Sequence, residues 1–524
     1  MTTTTAPIIR RALISVSKKE GIIAFARSLV SLGIELISTG GTYATLKEAG
    51  VPAKEVSELT QFPEMMEGRV KTLHPYIHGG LLAKRDRHHE EILAHQIPLI
   101  DLVVCNLYPF QETIQDPTCT LEKAYSQIDI GGPSMLRSAA KNYAWVGVIV
   151  DHSDYDWVLE ELRTHQGALS EASRFKLSVK AFEHTAYYDS LIADHLRKQL
   201  LPTTEQLFPN TWAIPLQRIE TLRYGENPHQ LAALYSCGSE KVGSVATATR
   251  IQGKSLSFNN LVDADSAWMC VRQFKEPSCV IVKHTNPCGV ATQAQLLKAY
   301  ELAFACDPQS AYGGVIAFNG LLEKDLLGSI FEHQFVEVII ATAISEEAAL
   351  LAQQKPNVRI LSIGAITPLI PMLDHKRLYG GLLLQEADEV PMSPHFKTAT
   401  TLHPTGAQHS DLVFAHQVCR YVKSNAIVLA HHQQTIGIGA GQTSRVFSLK
   451  IALERAEMAG IPTQGAVLAS DAFFPFPDSI EVAAKAGISA ILQPGGSLKD
   501  AEVIAAANQH GIAMVLSGQR HFRH

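Results

Sequence analysis

Several short stretches gather side chains that could move protons or hold phosphate. The most pointed is VKHTNPCG (residues 282–289), where Lys283 and His284 close an apolar strand ahead of a Pro-Gly turn. Burying two basic groups without partners is costly, which makes the pair a candidate functional site. A purely structural histidine at a strand end is the plainer alternative. In GRVKTLHPYIHGG (residues 68–80), Arg69, Lys71 and Thr72 offer two cations and a hydroxyl within four residues, a set that equally suits a solvated basic loop. NLYPF (106–110) and QIDIGGPSMLRSAAKN (127–142) add Asn106, Tyr108, Asp129 and Lys141. Asp129, just before Gly-Gly at a helix start, would also serve as an N-cap.

Phosphate chemistry is suggested by SVSK and STGGT, which carry Ser17, Lys18, Ser38, Gly40, Gly41 and Thr42. Each ends an apolar strand ahead of a helix, where glycines admit close approach of backbone N–H groups and the helix N-terminus favours an anion. In LRYGENPHQ (222–230), Arg223 is a natural bidentate phosphate ligand and Tyr224 adds a hydroxyl or a stacking face. SFNNLVDADSAW (257–268) is a polar loop entering a helix with Asn259 and Asn260 at its mouth. Pro287-Cys288 could open a zinc-deaminase PCxxC signature, but Ala291 occupies the second cysteine's position.

These residues need a frame. Strand patterns at 12–17, 34–39, 101–106 and 145–150, separated by helical stretches such as 18–32, predict an open, mainly parallel sheet, closed by a long helix over 170–200. The segment 201–215, with Pro202, Pro209 and Pro215, marks a domain boundary. Beyond it the chain repeats itself. SCVIVKHTNPCGVA (from Ser278) parallels SNAIVLAHHQQTIGIGAG (from Ser424), and each is followed by an alanine-bearing helix and three further strands, five elements in the same order. Two similar α/β lobes are expected, with a site at their interface.

Composition bounds the class. The 524 residues are 46% hydrophobic and 18% charged with a net charge of −6, so the chain is globular, has two to four domains and presents no overall basic field for nucleic acid. Eight cysteines without a CxxC pair read as buried reduced thiols. No secretory h-region or membrane-length apolar run is found, and a cytosolic protein is expected.

SVSKKEG, STGGTYATLKEAG, GRVKTLHPYIHGGLLAKRD, NLYPF and IDIGGPSMLRSAAKN resemble the inosine monophosphate cyclohydrolase half of the bifunctional purine biosynthesis enzymes. The second half, with VKHTNPCG, DPQSAYGGVIAFN, VKSNAIVLAH, IGIGAGQTSRV, SDAFFPFPDSIE, QPGGSLKD and RHFRH, is similar to their aminoimidazolecarboxamide ribotide formyltransferase, so the resemblance spans essentially the whole chain. It implies an α/β architecture: a methylglyoxal-synthase-like open parallel sheet over residues 1–200, then a duplicated cytidine-deaminase-like transformylase region over 201–524 whose second lobe begins near 400. It implies formyl transfer from 10-formyltetrahydrofolate to the 5-amino group of the ribotide, then dehydrative ring closure, with no metal required.

The resemblance further implies that Ser17, Lys18, Ser38, Gly40, Gly41, Thr42, Arg69, Thr72 and Asn106 bind nucleotide, and that Lys71, Tyr108, Asp129 and Lys141 perform ring closure. His284 is implied as general base, Lys283 as its electrostatic partner and Asn425 as the group that orients the amine. Arg223, Tyr224, Asn260, Gly313, Glu337, Phe473, Asp478 and Arg520 are implied to contact ribotide. Arg445, Val446, Ser497 and Leu498 are implied to contact folate, and the assembly to be a homodimer. Two positions depart from the family pattern: Tyr312 replaces a phenylalanine before Gly-Gly, and Glu337 stands where some relatives use aspartate. Residues 363–399 carry no assignable chemistry. The rival reading is a regulatory ribotide-binding first domain fused to an active transformylase. The proton-handling set Arg69, Lys71, Asp129 and Lys141 argues against it, since a sensor needs only the phosphate loops.

Overall fold

The computed structural model describes residues 6–68, 70–200, 207–237, 243–367, 373–389 and 396–524. Arg69 therefore lies outside the described residues. The chain divides into two compact units, Met1–Gln217 with Cys237–Ser239, and Arg218–Ser236 with Glu240–His524.

The first unit is built on five parallel strands, β1 (Arg11–Ser15), β2 (Glu35–Ser38), β3 (Lys54–Glu55), β4 (Leu102–Cys105) and β5 (Gly147–Ile149), in the order β3-β2-β1-β4-β5. Four of them follow the expected apolar runs. β3 is only two residues long, too short to leave a periodic signal. Leu13, Ile14, Val103 and Val104 are essentially unexposed because helices cover both faces of the sheet. Each such side chain stabilises the unit by ~1.5–3 kcal/mol. Helices α1 (Ile22–Ser31) and α2 (Gly40–Glu48) follow β1 and β2, α3 (Gly131–Lys141) packs against the sheet and the 28-residue α4 (Glu171–Lys198). The direction of strand succession reverses between β1 and β4, which opens a crevice at their C-terminal ends.

The second unit carries β6 (Thr249–Gln252), β7 (Ser278–Lys283), β8 (Asn286–Thr292), β9 (Gly314–Phe318), β10 (Val336–Ala341), β11 (Arg359–Ser362), β12 (Lys397–Thr398), β13 (Ile427–His431), β14 (Gln434–Gly439), β15 (Val467–Ser470), β16 (Ala490–Gln493) and β17 (Ala513–Leu516). They form one 12-stranded sheet, β12-β17-β16-β15-β13-β14-β8-β7-β9-β10-β11-β6. The expected duplication is visible in that order. In each lobe a hairpin (β7–β8, β13–β14) is followed by one strand antiparallel to its first member, then two more in parallel. The lobes meet where β8 pairs antiparallel with β14. Helices α5 (Phe258–Val271) and α7 (Gly406–Cys419) cover one face over a shared core. Helices α6 (Leu296–Cys306) and α8 (Arg445–Met458) pack on the other. Alternation along β7 sends Val280 and Val282 to the shared core and Cys279 and Ile281 to the opposite side.

The cysteines differ in part from expectation. Cys237 is exposed and Cys119 and Cys288 are half-buried, while the remaining five cysteines are buried and all eight are unpaired. Residues 363–399 include an exposed two-stranded hairpin, Leu373–Leu378 with Gly381–Glu386, whose turn leaves Tyr379 fully in solvent. No helix among the described residues is long and apolar enough to cross a membrane.

Candidate active sites

In the first unit the crevice at the ends of β1, β2 and β4 collects most of the expected residues. Several spend their side chains on the loops themselves. Asn106 Oδ1 accepts from the amides of Ser17 (2.5 Å) and Lys18 (3.1 Å), and its Nδ2 donates to the Lys18 carbonyl (2.8 Å). Thr42 Oγ1 accepts from the Val16 amide (3.0 Å) and donates to its carbonyl (2.9 Å), and Ser38 Oγ donates to the Ile14 carbonyl (2.9 Å). Lys18 pairs with Glu112. These bonds hold the strand-end loops in register, so an anion there would be met by the amide-rich start of α2 and by cations.

Among the described residues, Lys71 approaches this loop closely. A Cβ on Gly40, where φ is +43°, would lie 2.8 Å from Lys71 Nζ, so glycine serves both the backbone conformation and the approach of the ammonium. Glu64 Oε1 lies 3.6 Å from the same nitrogen. Asp129 Oδ1 accepts from the Gly132 amide (2.8 Å) at the start of α3, while Thr72 Oγ1 would sit 2.7 Å from a Cβ on Gly131. Burial pushes the Asp129 carboxyl up, opposed by amide hydrogen bonds and by Lys71. Partial burial raises the Tyr108 phenol too, reinforced by Asp129 and then Glu64. An ammonium beside a carboxyl biased towards its neutral form and a weakly acidic phenol can stabilise a developing oxyanion and shuttle protons. Lys141 is not part of this group within the chain. It stands exposed in the last turn of α3, about 15 Å along the helix from Gly131 at 1.5 Å rise per residue. Glu64 was not singled out from the sequence; its only signal there is an acid just ahead of the cationic loop.

In the second unit Lys283 and His284 occupy the β7–β8 turn. Lys283 Nζ donates to the Tyr312 carbonyl and would lie 3.4 Å from a Cβ on Gly313, whose φ is +71°. Lys283, His284 and Asn286 line a cavity of about 340 Å³ together with Ile438, Gln442 and Arg455 from the second lobe. Asn286 Oδ1 accepts from the Lys423 amide (2.9 Å), which ties the turn to the segment carrying Asn425. Asn425 donates to the Gln442 carbonyl through both its amide (3.0 Å) and Nδ2 (2.8 Å). Its Oδ1 accepts from Arg445 Nη2 (2.7 Å), which fixes the orientation of the carboxamide.

Arg445 is thus committed. It is 7% exposed, and its other terminal nitrogen pairs with fully buried Asp471 and donates to Ser470 Oγ (2.9 Å). Ser424 Oγ donates to the same Asp471 (2.5 Å), and the C-terminal segment joins through His521 N to the Asp471 carbonyl (3.0 Å) and Ser424 N to the Arg523 carbonyl (2.9 Å). Arg520 lies over the Phe522 ring at 4.4 Å.

The remaining expected residues are more dispersed. Arg223 stacks on Tyr224 (5.6 Å) in a loop tied to α5 by Asn259 Nδ2 donating to the Glu226 carbonyl (3.3 Å). Asn260 Nδ2 donates to Glu337 Oε2 (2.8 Å). Asp478 opens a helix and accepts from the Ser479 amide (2.7 Å), Phe473 is partly exposed, and Val446 and Ser497 are half-buried while Leu498 is fully exposed. One residue the sequence did not single out stands out here. The Asp263 carboxylate accepts from the amides of His284 (3.3 Å) and Thr285 (2.7 Å).

A solved structure described as "Crystal structure of ForH" is 34% identical over 36% of this chain and 99% of that one, with a TM-score of 0.33. An MGS-like domain model matches residues 21–134. The model of the AICARFT/IMPCHase bienzyme matches residues 139–455. That last match takes in more than half of the sequence, including the Lys283-His284 turn and Asn425: the chain belongs to the AICARFT/IMPCHase bienzyme family, an α/β enzyme with formyltransferase and cyclohydrolase activities that completes inosine monophosphate synthesis.

Proposed function

We propose that the two activities are divided between the two units, with formyl transfer in the second and ring closure in the first. The observation that carries this reading is the cavity at the lobe seam, which has Lys283 and His284 in its wall and the clamped Asn425 alongside. The 5-amino group of the ribotide is conjugated to its ring and poorly nucleophilic. His284 removes its proton as the nitrogen attacks the formyl carbon of 10-formyltetrahydrofolate, Lys283 stabilises the oxyanion, and the folate nitrogen takes up the proton from His284 and leaves as the carbonyl re-forms. Asn425, with one N–H and one lone pair still to offer, aligns the amine. Arg223, Tyr224 and Arg520 hold the ribotide with help from Asn260, Gly313, Glu337, Phe473 and Asp478. Val446, Ser497 and Leu498 meet the folate, and Arg445 acts through Asn425.

In the first unit the carboxamide nitrogen attacks the formyl carbon and water departs. Lys71 stabilises the tetrahedral oxyanion, and Asp129 and Tyr108 exchange the amide and hydroxyl protons. The loops after β1 and β2 take the phosphate, and Arg69 and Thr72 act on the base and reacting atoms. We further propose a homodimer working in the cytosol, the latter supported by eight unpaired cysteines.

The test is a pair of substitutions assayed for each half-reaction. His284→Ala is expected to abolish formyl transfer while ring closure of supplied formylated ribotide, without folate, continues. Lys71→Ala is expected to do the reverse, lowering ring closure by about 10²–10³-fold. If either folded variant lost both activities, the division between units would be wrong.

A further inference from the structure

The two lobes repeat one another down to a single carboxylate. Asp263 is the sixth residue of α5 and Asp411 the sixth of α7. Each helix opens with the same reciprocal cap, Ser257 with Asn260 and Thr405 with Gln408. Asp263 accepts from the amides 21 and 22 residues ahead, His284 and Thr285, and Asp411 from those 21 and 22 residues ahead, His432 (2.9 Å) and Gln433 (2.8 Å). All four residues have positive φ, 52° and 64° in the first turn and 54° and 59° in the second. None is glycine, so both tight hairpin turns are held in a backbone conformation that L residues disfavour. In each turn one carboxylate supplies both compensating hydrogen bonds.

The two turns differ in what they present. The first places Lys283 and His284 in the wall of the lobe-seam cavity. The second carries His431 and His432, whose rings stack on each other at 4.0 Å, and the cavity is lined instead by later residues of that lobe such as Ile438 and Gln442. We infer that Asp263 is a positioning residue for formyl transfer, fixing the direction of Lys283 and His284 through the backbone amides of their turn, while Asp411 performs the same task in a turn without chemistry. This rests on the assignment of His284 and Lys283 made above. If φ at His284 relaxes, its Cα–Cβ vector rotates out of the cavity wall, and a displacement of about 1 Å at a reacting group costs about 10²-fold in rate.

The duplication supplies its own control. Asp263→Asn removes one acceptor and the charge, and Asp411→Asn does the same at the matching turn. Both are expected to lower the unfolding midpoint of the second unit to a similar extent and to leave ring closure intact. Only D263N is expected to lower kcat for formyl transfer by about 10²-fold with little change in KM for the ribotide. Should D263N fail to fold, Asp263→Glu, which keeps the charge but displaces the acceptor, is read in the same way. The inference is overturned if D263N keeps wild-type formyl transfer, or if D411N impairs it equally. His284→Ala separates the two levels. An active H284A variant would remove the assignment of His284 itself, whereas an inactive H284A beside a fully active D263N would remove only the role of Asp263.

Discussion

Asp129 sits under opposing influences: burial favours its neutral form, while two backbone amides and the Lys71 ammonium favour the charged one, and burial prevails. A carboxyl whose folded-state pKa is raised adds stability below its unfolded value and loses that contribution as pH rises through the folded value. Above its folded-state value the ionised group therefore costs the first unit stability. Asp129→Asn keeps an acceptor for the Gly132 amide and removes that cost. It is expected to raise the melting temperature at neutral pH, to give no gain in acid where the wild-type carboxyl is also neutral, and to slow ring closure. A melting temperature unchanged at both pH values would mean that the carboxyl is not strained by burial. At this scale the sequence identified chemical types well. Lys71, Tyr108 and Asp129 were legible as a cation, a phenol and an acid, but not the separation of Lys141 from them, because one-dimensional proximity to Asp129 hid a whole helix between the two. Arg445 shows what type alone leaves out: a guanidinium reads as a ligand contact, and its pairing with buried Asp471 is visible only in the fold.

Between elements, the closest approaches are made where helices cross the two hairpins. A Cβ on Gly289 would fall 1.9 Å from the Ala303 carbonyl oxygen of α6, and one on Gly437 2.0 Å from the Ala452 carbonyl oxygen of α8. Neither glycine needs its conformational freedom here; each is small because a helix backbone lies on it. Gly289→Ala and Gly437→Ala must each push a helix off its strand. Each is expected to destabilise the second unit by ~1–3 kcal/mol in chemical denaturation, to depress formyl transfer and to spare ring closure; a neutral effect on stability would contradict this packing. The repeat itself was legible, because strands buried on both faces stay apolar in both lobes. The helices α5 and α7 were not recognised as members of it. A helix covering a shared core accepts any suitable apolar residue, so FNNLVDADSAWMCV and GAQHSDLVFAHQVC retain in common little beyond the aspartate that holds the next turn.

For the molecule as a whole, the proposed division of the two reactions between two compact units with separate cores predicts that the formylated ribotide can leave one protein and be taken up by another. Mixing the Lys71→Ala and His284→Ala proteins, each unable to complete the sequence alone, is expected to restore inosine monophosphate formation from the unformylated ribotide and 10-formyltetrahydrofolate. No product from the mixture, with each variant active in its own half-reaction, would show that the intermediate must pass within one protein. Composition, strand periodicity and motif chemistry in the sequence alone determined the α/β class, the parallel first sheet, the duplicated second region and the chemical types gathered at the strand ends. All of these depend on local pattern or on residue type. Tertiary structure alone decided that Asn106 and Thr42 clamp loops, that Arg445 serves Asn425, that Glu64 joins Lys71, that Lys141 lies a helix away and that Asp263 holds the His284 turn. Those are facts of distance between groups far apart along the chain, and residue type constrains which bonds a group can make without constraining which neighbour the fold brings to it.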